Sequence, residues 1–408
     1  MKWLADYYRA RGEEVSGSDI LTGGHRAENA RGADLVVYSA AVGADNPERA
    51  EAARLGIKQI PRARALASVA ACFGQCIAVA GTHGKTTTAC MLSELLAAYD
   101  PAAFFGGTYK GKRGKAEGSL LIVEACEYKR GFLYLKPYIA VILNAELDHT
   151  DCYDSQSDVV RAFAEFASGS EIAVAPSAYA HVFTASRYTV GVGADGDYAC
   201  IDCVPDGAGS RIAVKTPDGV KRFRLRVPGR HNAENAVFAV AAARIYGAHW
   251  DEIAEGLERF EGVDRRLQRV GRMGGAAVFS DYAHHPTELA ASVAAYAFSG
   301  CGKPLVVFQP HTHERLGRFL DGFARALLPV DSIILPVFRA RGADEGAESG
   351  DLAARIRSYG GSSVALDVGE AAERIKKTAP HYGVIAVTGA GDNEKLLPMI
   401  LGQSSPNA

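Results

Sequence analysis

The sequence predicts an α/β protein of three domains, each a mostly parallel sheet flanked by helices. Three observations carry this. Apolar runs such as 75–80, 120–125 and 304–309 are too continuous to alternate, as expected for strands buried on both faces. Segments of helical period separate them, and glycine-rich turns mark several strand-to-helix passages. At roughly 150 residues per domain, 408 residues hold two or three domains. The expected boundaries are 1–70 (Rossmann-like), 71–261 (built on a phosphate loop) and 262–408 (Rossmann-like).

In the first block, helix is expected over 3–11, closed by Gly12, and over 47–55, opened by Pro47. Strands are expected over 14–18 and 33–39. The second block offers strand 75–80, helix 85–98, strands 120–125 and 139–145, helix 157–167 and strand 171–175. A small antiparallel excursion is expected within 186–227, followed by an alanine-rich helix over 232–246. The third alternates strand 276–281, helix 287–296, strand 304–309, helix 315–327, strand 332–336, helix 351–359 and strand 384–388.

Composition narrows the function. A net charge of −2 gives no bulk attraction to nucleic acid or acidic membranes. The basic stretch 110–115 reads as a solvated loop. No run of about 18 apolar residues exists to span a membrane, and the N-terminus lacks the apolar region of a signal peptide. Eight cysteines without export signals imply reduced thiols in a cytoplasm. Cys200-Ile201-Asp202-Cys203 has no second ligand pair for zinc and reads as unrelated cysteines.

The strongest local signal is strand, then Gly81-Thr82-His83-Gly84-Lys85-Thr86-Thr87, then helix. Glycines let backbone N–H groups close on phosphate oxygens, and the helix presents its positive end. Lys85 suits β/γ-phosphates and the Thr86 hydroxyl suits Mg²⁺. The loop is shorter than the usual phosphate loop, with Val79 where a first glycine would stand. Glu124 and His149 follow buried strands, so both are delivered to the carboxyl edge of the sheet, where ligands collect. Their oxygen and imidazole atoms suit a metal near the γ-phosphate.

Taken in order, these motifs resemble the Mur ligases. The resemblance rests on the loop, on Glu124-Ala125-Cys126-Glu127-Tyr128, on Asn144 with Asp148-His149, on Gly229-Arg230-His231-Asn232-Ala233-Glu234-Asn235 and on Gly262-Val263-Asp264-Arg265-Arg266. Asp281-Tyr282-Ala283-His284-His285-Pro286, Phe308-Gln309-Pro310-His311-Thr312 and Val387-Thr388-Gly389-Ala390-Gly391-Asp392 resemble its alanine-adding branch. The only lysine between 150 and 220 is Lys215, so the carbamylated lysine of other branches has no counterpart.

The resemblance implies ATP and Mg²⁺ as cofactors and UDP-N-acetylmuramate and L-alanine as substrates, joined through an acyl phosphate. It implies a cytoplasmic monomer or weak dimer without nucleic-acid or membrane partners. Lys85, Asn144, His149, His284 and Arg315 are the implied catalytic set, and Thr86, Glu124 and His149 the metal ligands. Asn232 and Asn235 are assigned to adenine, Arg265 to the phosphates and Asp281 to the ribose. Ser18, Asp19, Ser39, Tyr282, His284 and Arg315 are assigned to the other substrates. Met1 aligns with the end of the family's N-terminal strand and glycine loop, so an upstream start and a longer native chain are expected. A tripeptide-adding recycling ligase and a non-catalytic nucleotide-binding paralogue are the alternatives.

Overall fold

The computed structural model describes residues 1–19, 23–148, 152–179, 181–183, 188–206, 209–298, 302–338 and 346–402. The chain divides into two compact units. One comprises Met1–Ile201, Ala213–Phe223 and Glu234–Phe260; the other comprises Asp202–Ile212, Arg224–Ala233 and Glu261–Ala408.

A seven-stranded sheet organises the first unit. Its order is Lys112–Lys115, Pro101–Tyr109, Leu120–Glu124, Gln75–Ala80, Ile139–Ile142, Ile172–Pro176, Tyr188–Val192. All neighbours are parallel except the edge hairpin. Ile77, Val79, Ile122 and Val141 are fully buried, which is why these strands are uniformly apolar. The chain leaves Gln75–Ala80 toward one side of the sheet and reaches its other side at Ile139–Ile142. Three adjacent carboxyl ends therefore meet at the switch point, where α/β sheets bind ligands.

A second, two-stranded parallel sheet pairs Leu35–Tyr38 with Lys58–Pro61. The helices Pro47–Arg54 and Arg62–Ala70 pack on it, while Lys2–Arg9 packs through Trp3 on the edge hairpin of the large sheet. The Asn46 side chain caps Pro47–Arg54 by accepting from Glu48 N and Arg49 N.

The second unit holds a six-stranded sheet of order Gln268–Met273, Ala276–Asp281, Val384–Gly389, Pro304–Gln309, Asp331–Ile334, Ser362–Ala365, parallel after its first pair. Along Pro304–Gln309, Val306 and Phe308 enter one core with Phe323 and Leu289, while Leu305 and Val307 enter another with Ile333 and Ile375. The alternation of side chains across the strand builds a core on each face.

Several sequence expectations are corrected. The segment 14–18 is not a strand: among the described residues no strand pairs with it, and the Ser18 hydroxyl is held by Glu48 and His25. The basic stretch 110–115 is not a loop, since Lys112–Lys115 pairs antiparallel with Pro101–Tyr109. Lys110 (φ 50°) and Gly111 (φ 73°) make a two-residue turn whose positive φ values suit a tight hairpin. The excursion within 186–227 loses Tyr188–Val192 to the large sheet as a parallel strand. What remains is a three-stranded sheet in chain order, Ala199–Asp206, Gly209–Thr216 and Gly219–Leu225. The helix expected over 315–327 is two, His313–Arg318 and Leu320–Leu327. They part at Phe319, which leaves helical geometry (φ −113°) and packs its ring on His285.

Candidate active site

In the first unit, Gln75–Ala80 runs into the phosphate loop, and Lys85–Leu95 follows as helix. Gly81 has φ 146° and Gly84 φ 84°. A Cβ on Gly84 would lie 2.5 Å from Asn235 Oδ1 and 3.0 Å from Leu143 Cδ1, so the turn needs glycine for space as well as conformation. Asn144, just beyond Ile139–Ile142, engages both backbone polar groups of one residue. Its Oδ1 accepts from His83 N at 2.9 Å, and its Nδ2 donates to His83 O at 3.1 Å. Thr82 Oγ1 donates to Glu146 O at 3.0 Å and accepts from Glu146 N at 2.9 Å. The imidazole of His83 lies 3.5 Å from the Glu146 carboxylate. The loop is thus tied at two successive residues to the neighbouring strand's exit.

Thr86 Oγ1 donates to Glu124 Oε1, and the other carboxylate oxygen of Glu124 accepts from Gly106 N at 2.7 Å. Thr87, next in the helix, is buried. Lys85 Nζ donates to Gly81 O, to Thr82 O at 3.1 Å and to Glu127, whose oxygens lie at 3.1 and 3.0 Å. Burial works against the ammonium charge. Glu127 first, then Cys126 and Glu124, outweigh it and raise the Lys85 pKa. Glu127 is itself 4% exposed, and Tyr153 donates its hydroxyl to the Glu127 carbonyl at 2.7 Å. The structure therefore brings Gly81, Thr82, His83, Gly84, Lys85, Thr86, Glu124, Asn144 and Asn235 together. His149 lies outside the described residues. Glu127, which the sequence offers only as part of a family motif, joins the site with Glu146 and Tyr153, none of which has a role assigned from sequence.

Elsewhere in this unit, Ser18 donates to Glu48 at 2.7 Å and contacts His25 at 3.1 Å, while Asn29 also donates to Glu48. Burial opposes the Glu48 charge, but these donors hold its pKa below the ordinary value. The carbonyl of Asp19 accepts from Gly24 N at 3.1 Å, and Ser39 Oγ accepts from Ala41 N. Beside Ser39, Ala40 O accepts from Lys129 Nζ at 2.9 Å.

In the second unit, Asp281, Gly389 and Gln309 end three adjacent strands. Asp281 is 2% exposed and accepts from Leu267 N, Tyr282 N, Ser292 Oγ and Tyr296 OH. Burial raises its pKa, with Ser292 opposing. Both its oxygens thus serve internal bonds that fix the segment carrying Arg265 and Arg266. The Arg265 guanidinium donates to Gly389 O and Asn393 Oδ1, each at 3.3 Å, and pairs with Glu394 at 2.8 Å. Arg266 pairs with Glu288 at 3.4 Å, and both arginines face the Tyr282 ring. Gln309 Nε2 holds Asp392 at 2.9 Å. His284 sits between the rings of Tyr282 and His311, with Nδ1 3.0 Å from Tyr282 O. Burial, with Arg315 and Arg266 adding to it against Glu288, pulls its pKa to about 4, so it is neutral at pH 7. Arg315 lies in the first turn of His313–Arg318, its N–H capped by Thr312. Asn232 donates to Pro228 O at 2.7 Å at the start of Arg230–Tyr246.

A phosphate loop with a hydroxyl–carboxylate pair in one unit, in a chain whose other unit carries its own mostly parallel sheet, fits the class of ATP-dependent amide ligases. Residues 1–73 match the Mur ligase family catalytic domain, 79–243 the Mur ligase middle domain and 265–391 the Mur ligase glutamate ligase domain. The chain is 34% identical to the UDP-N-acetylmuramate–L-alanine ligase of Acetivibrio thermocellus, covering 98% of this chain and 93% of that one. It is 35% identical to that of Acidithiobacillus ferrooxidans, over 99% and 96%. The solved UDP-N-acetylmuramate–alanine ligase of Thermotoga maritima shares the fold, with a TM-score of 0.79, 24% identity and 97% and 90% coverage. The chain belongs to the Mur ligase family.

Proposed function

We propose that this enzyme joins the carboxylate of UDP-N-acetylmuramate to the amine of L-alanine with ATP, in peptidoglycan precursor synthesis. The observation that carries the reading is the convergence of Lys85, the Thr86–Glu124 pair and the Asn144-braced loop at one sheet edge. Nearly full-length relatives bearing the alanine-adding name support the choice of substrates.

The carboxylate attacks the γ-phosphorus; ADP leaves and an acyl phosphate forms. The amine then attacks the acyl carbon, inorganic phosphate departs, and the amine's proton is lost. The loop N–H groups and Lys85 stabilise charge as it moves onto the leaving oxygens. Thr86 and Glu124 offer hard oxygen donors already in contact, which fits Mg²⁺; His149 is proposed as a further ligand. When bound, the metal would neutralise phosphate charge. His284, neutral at pH 7, with Arg315 and Tyr282 receives the amino acid and acyl phosphate. Asn232 and Asn235 contact adenine, Arg265 the phosphates and Asp281 the ribose edge. Ser18, Asp19 and Ser39 belong to the UDP-sugar side. We assign domains 1–70, 71–261 and 262–408, and a cytoplasmic monomer or weak dimer.

The test is ADP release with each substrate omitted in turn. Release should require both UDP-N-acetylmuramate and alanine. Turnover with a tripeptide but not alanine would overturn the substrate, and nucleotide binding without turnover would overturn the activity.

A further inference from the structure

An ammonium has three N–H bonds, and those of Lys85 are all accounted for by Gly81 O, Thr82 O and Glu127. A phosphate oxygen that takes Lys85 must therefore displace one of these acceptors. The carbonyls belong to the loop backbone from which the lysine itself springs. Glu127 comes from another element, and its carboxylate is the charged member of the three.

Its placement is built rather than incidental. The carboxylate is almost wholly buried, a position acidic groups adopt only when paired. The Tyr153 hydroxyl pins the Glu127 carbonyl. After Tyr128, Lys129 (φ 50°) and Arg130 (φ 54°) both adopt left-handed backbone, which non-glycine residues hold only when their surroundings impose it. Arg130 is fastened to Asp158 at 2.7 Å, and Lys129 to Ala40 O.

Building on the nucleotide-site reading above, we propose that Glu127 is a positioning residue that competes with nucleotide phosphates for Lys85 Nζ and takes it back as they depart. The pair sets how tightly nucleotide is held: a lysine occupied by Glu127 nine-tenths of the time weakens apparent affinity about tenfold. Glu127 thereby exchanges affinity for release of ADP.

The experiment measures MgADP binding by calorimetry, and KM for ATP and kcat, on the full chain and on Glu127→Gln. The expected result is MgADP bound up to about tenfold tighter, a lower KM for ATP, and a kcat that falls as ADP release slows. Unchanged or weaker MgADP binding, with KM raised and kcat lowered, would make Glu127 a structural residue and overturn the proposal. Glu127→Asp, which keeps the charge but withdraws it by one methylene, should shift affinity the same way by less. It decides the matter if the glutamine variant does not fold. Lys85→Ala separates the two readings. If it leaves MgADP binding intact, the nucleotide-site reading itself fails. If it abolishes binding while Glu127→Gln does not tighten it, only the role of Glu127 fails.

Discussion

At Gly84 the backbone has positive φ and the space beside it is already filled by Asn235 and Leu143. Gly84→Ala should cost roughly 1–3 kcal/mol of stability, the usual range for strain and overpacking. It should also weaken MgADP binding by about tenfold, a loss of about 1.4 kcal/mol. Urea unfolding and calorimetric titration measure both; a variant of full affinity would show that this turn does not cradle phosphate. Asn144 makes a sharper demand, because its amide both donates to and accepts from the backbone of His83. Asn144→Asp keeps the shape but loses the donor and adds charge beside the loop. We expect a larger affinity loss than for Asn144→Ala, since repulsion is added to the lost hydrogen bond. Equal losses would mean that only the bracing matters.

Among elements, those buried on both faces were the most legible. Gln75–Ala80, Leu120–Glu124 and Pro304–Gln309 read as continuous apolar runs because helices cover both sides of each sheet. Edge strands were opaque. Lys112–Lys115 carries exposed charges, as edges do, and so looks like a loop. The Thr86–Glu124 pair was readable because Glu124 ends a buried strand and Thr86 opens the helix after the phosphate loop. The Lys85–Glu127 pair was not, since Glu127 lies past the end of Leu120–Glu124 in irregular backbone, where no period aims its side chain. Burial in the second unit makes a further prediction. His231 and His284 are each pulled to about 4, first by burial and then by arginine, from an ordinary value of 6.5. Between these values the unfolded chain binds more protons than the folded one, so stability present above pH 6.5 is lost on descent toward pH 4. Each histidine adds up to about 1.4 kcal/mol per pH unit. Asp281, raised by burial, acts in the opposite sense, leaving a net loss on acidification. His231→Gln should reduce the slope of stability against pH; an unaltered slope would refute the assignment.

For the whole molecule, each unit carries its own sheet and core, and the sequence places both tryptophans in one of them. Trp3 packs on Phe104 with its indole N–H on Lys115 O, and Trp250 donates to Asp218 beside Phe223. All of these lie in the first unit, which also holds the phosphate loop. The two perturbed histidines lie in the second. Tryptophan fluorescence should therefore report the first unit, whereas far-ultraviolet circular dichroism reports both. Lowering the pH from 7 to 5 should move the urea midpoint seen by dichroism further than that seen by fluorescence. MgADP at about a hundred times its dissociation constant should raise the fluorescence midpoint by the equivalent of about 2.7 kcal/mol, and Lys85→Ala should remove that rise. Coincident midpoints by both probes at every pH would show one cooperative transition and sink the prediction of separable stability.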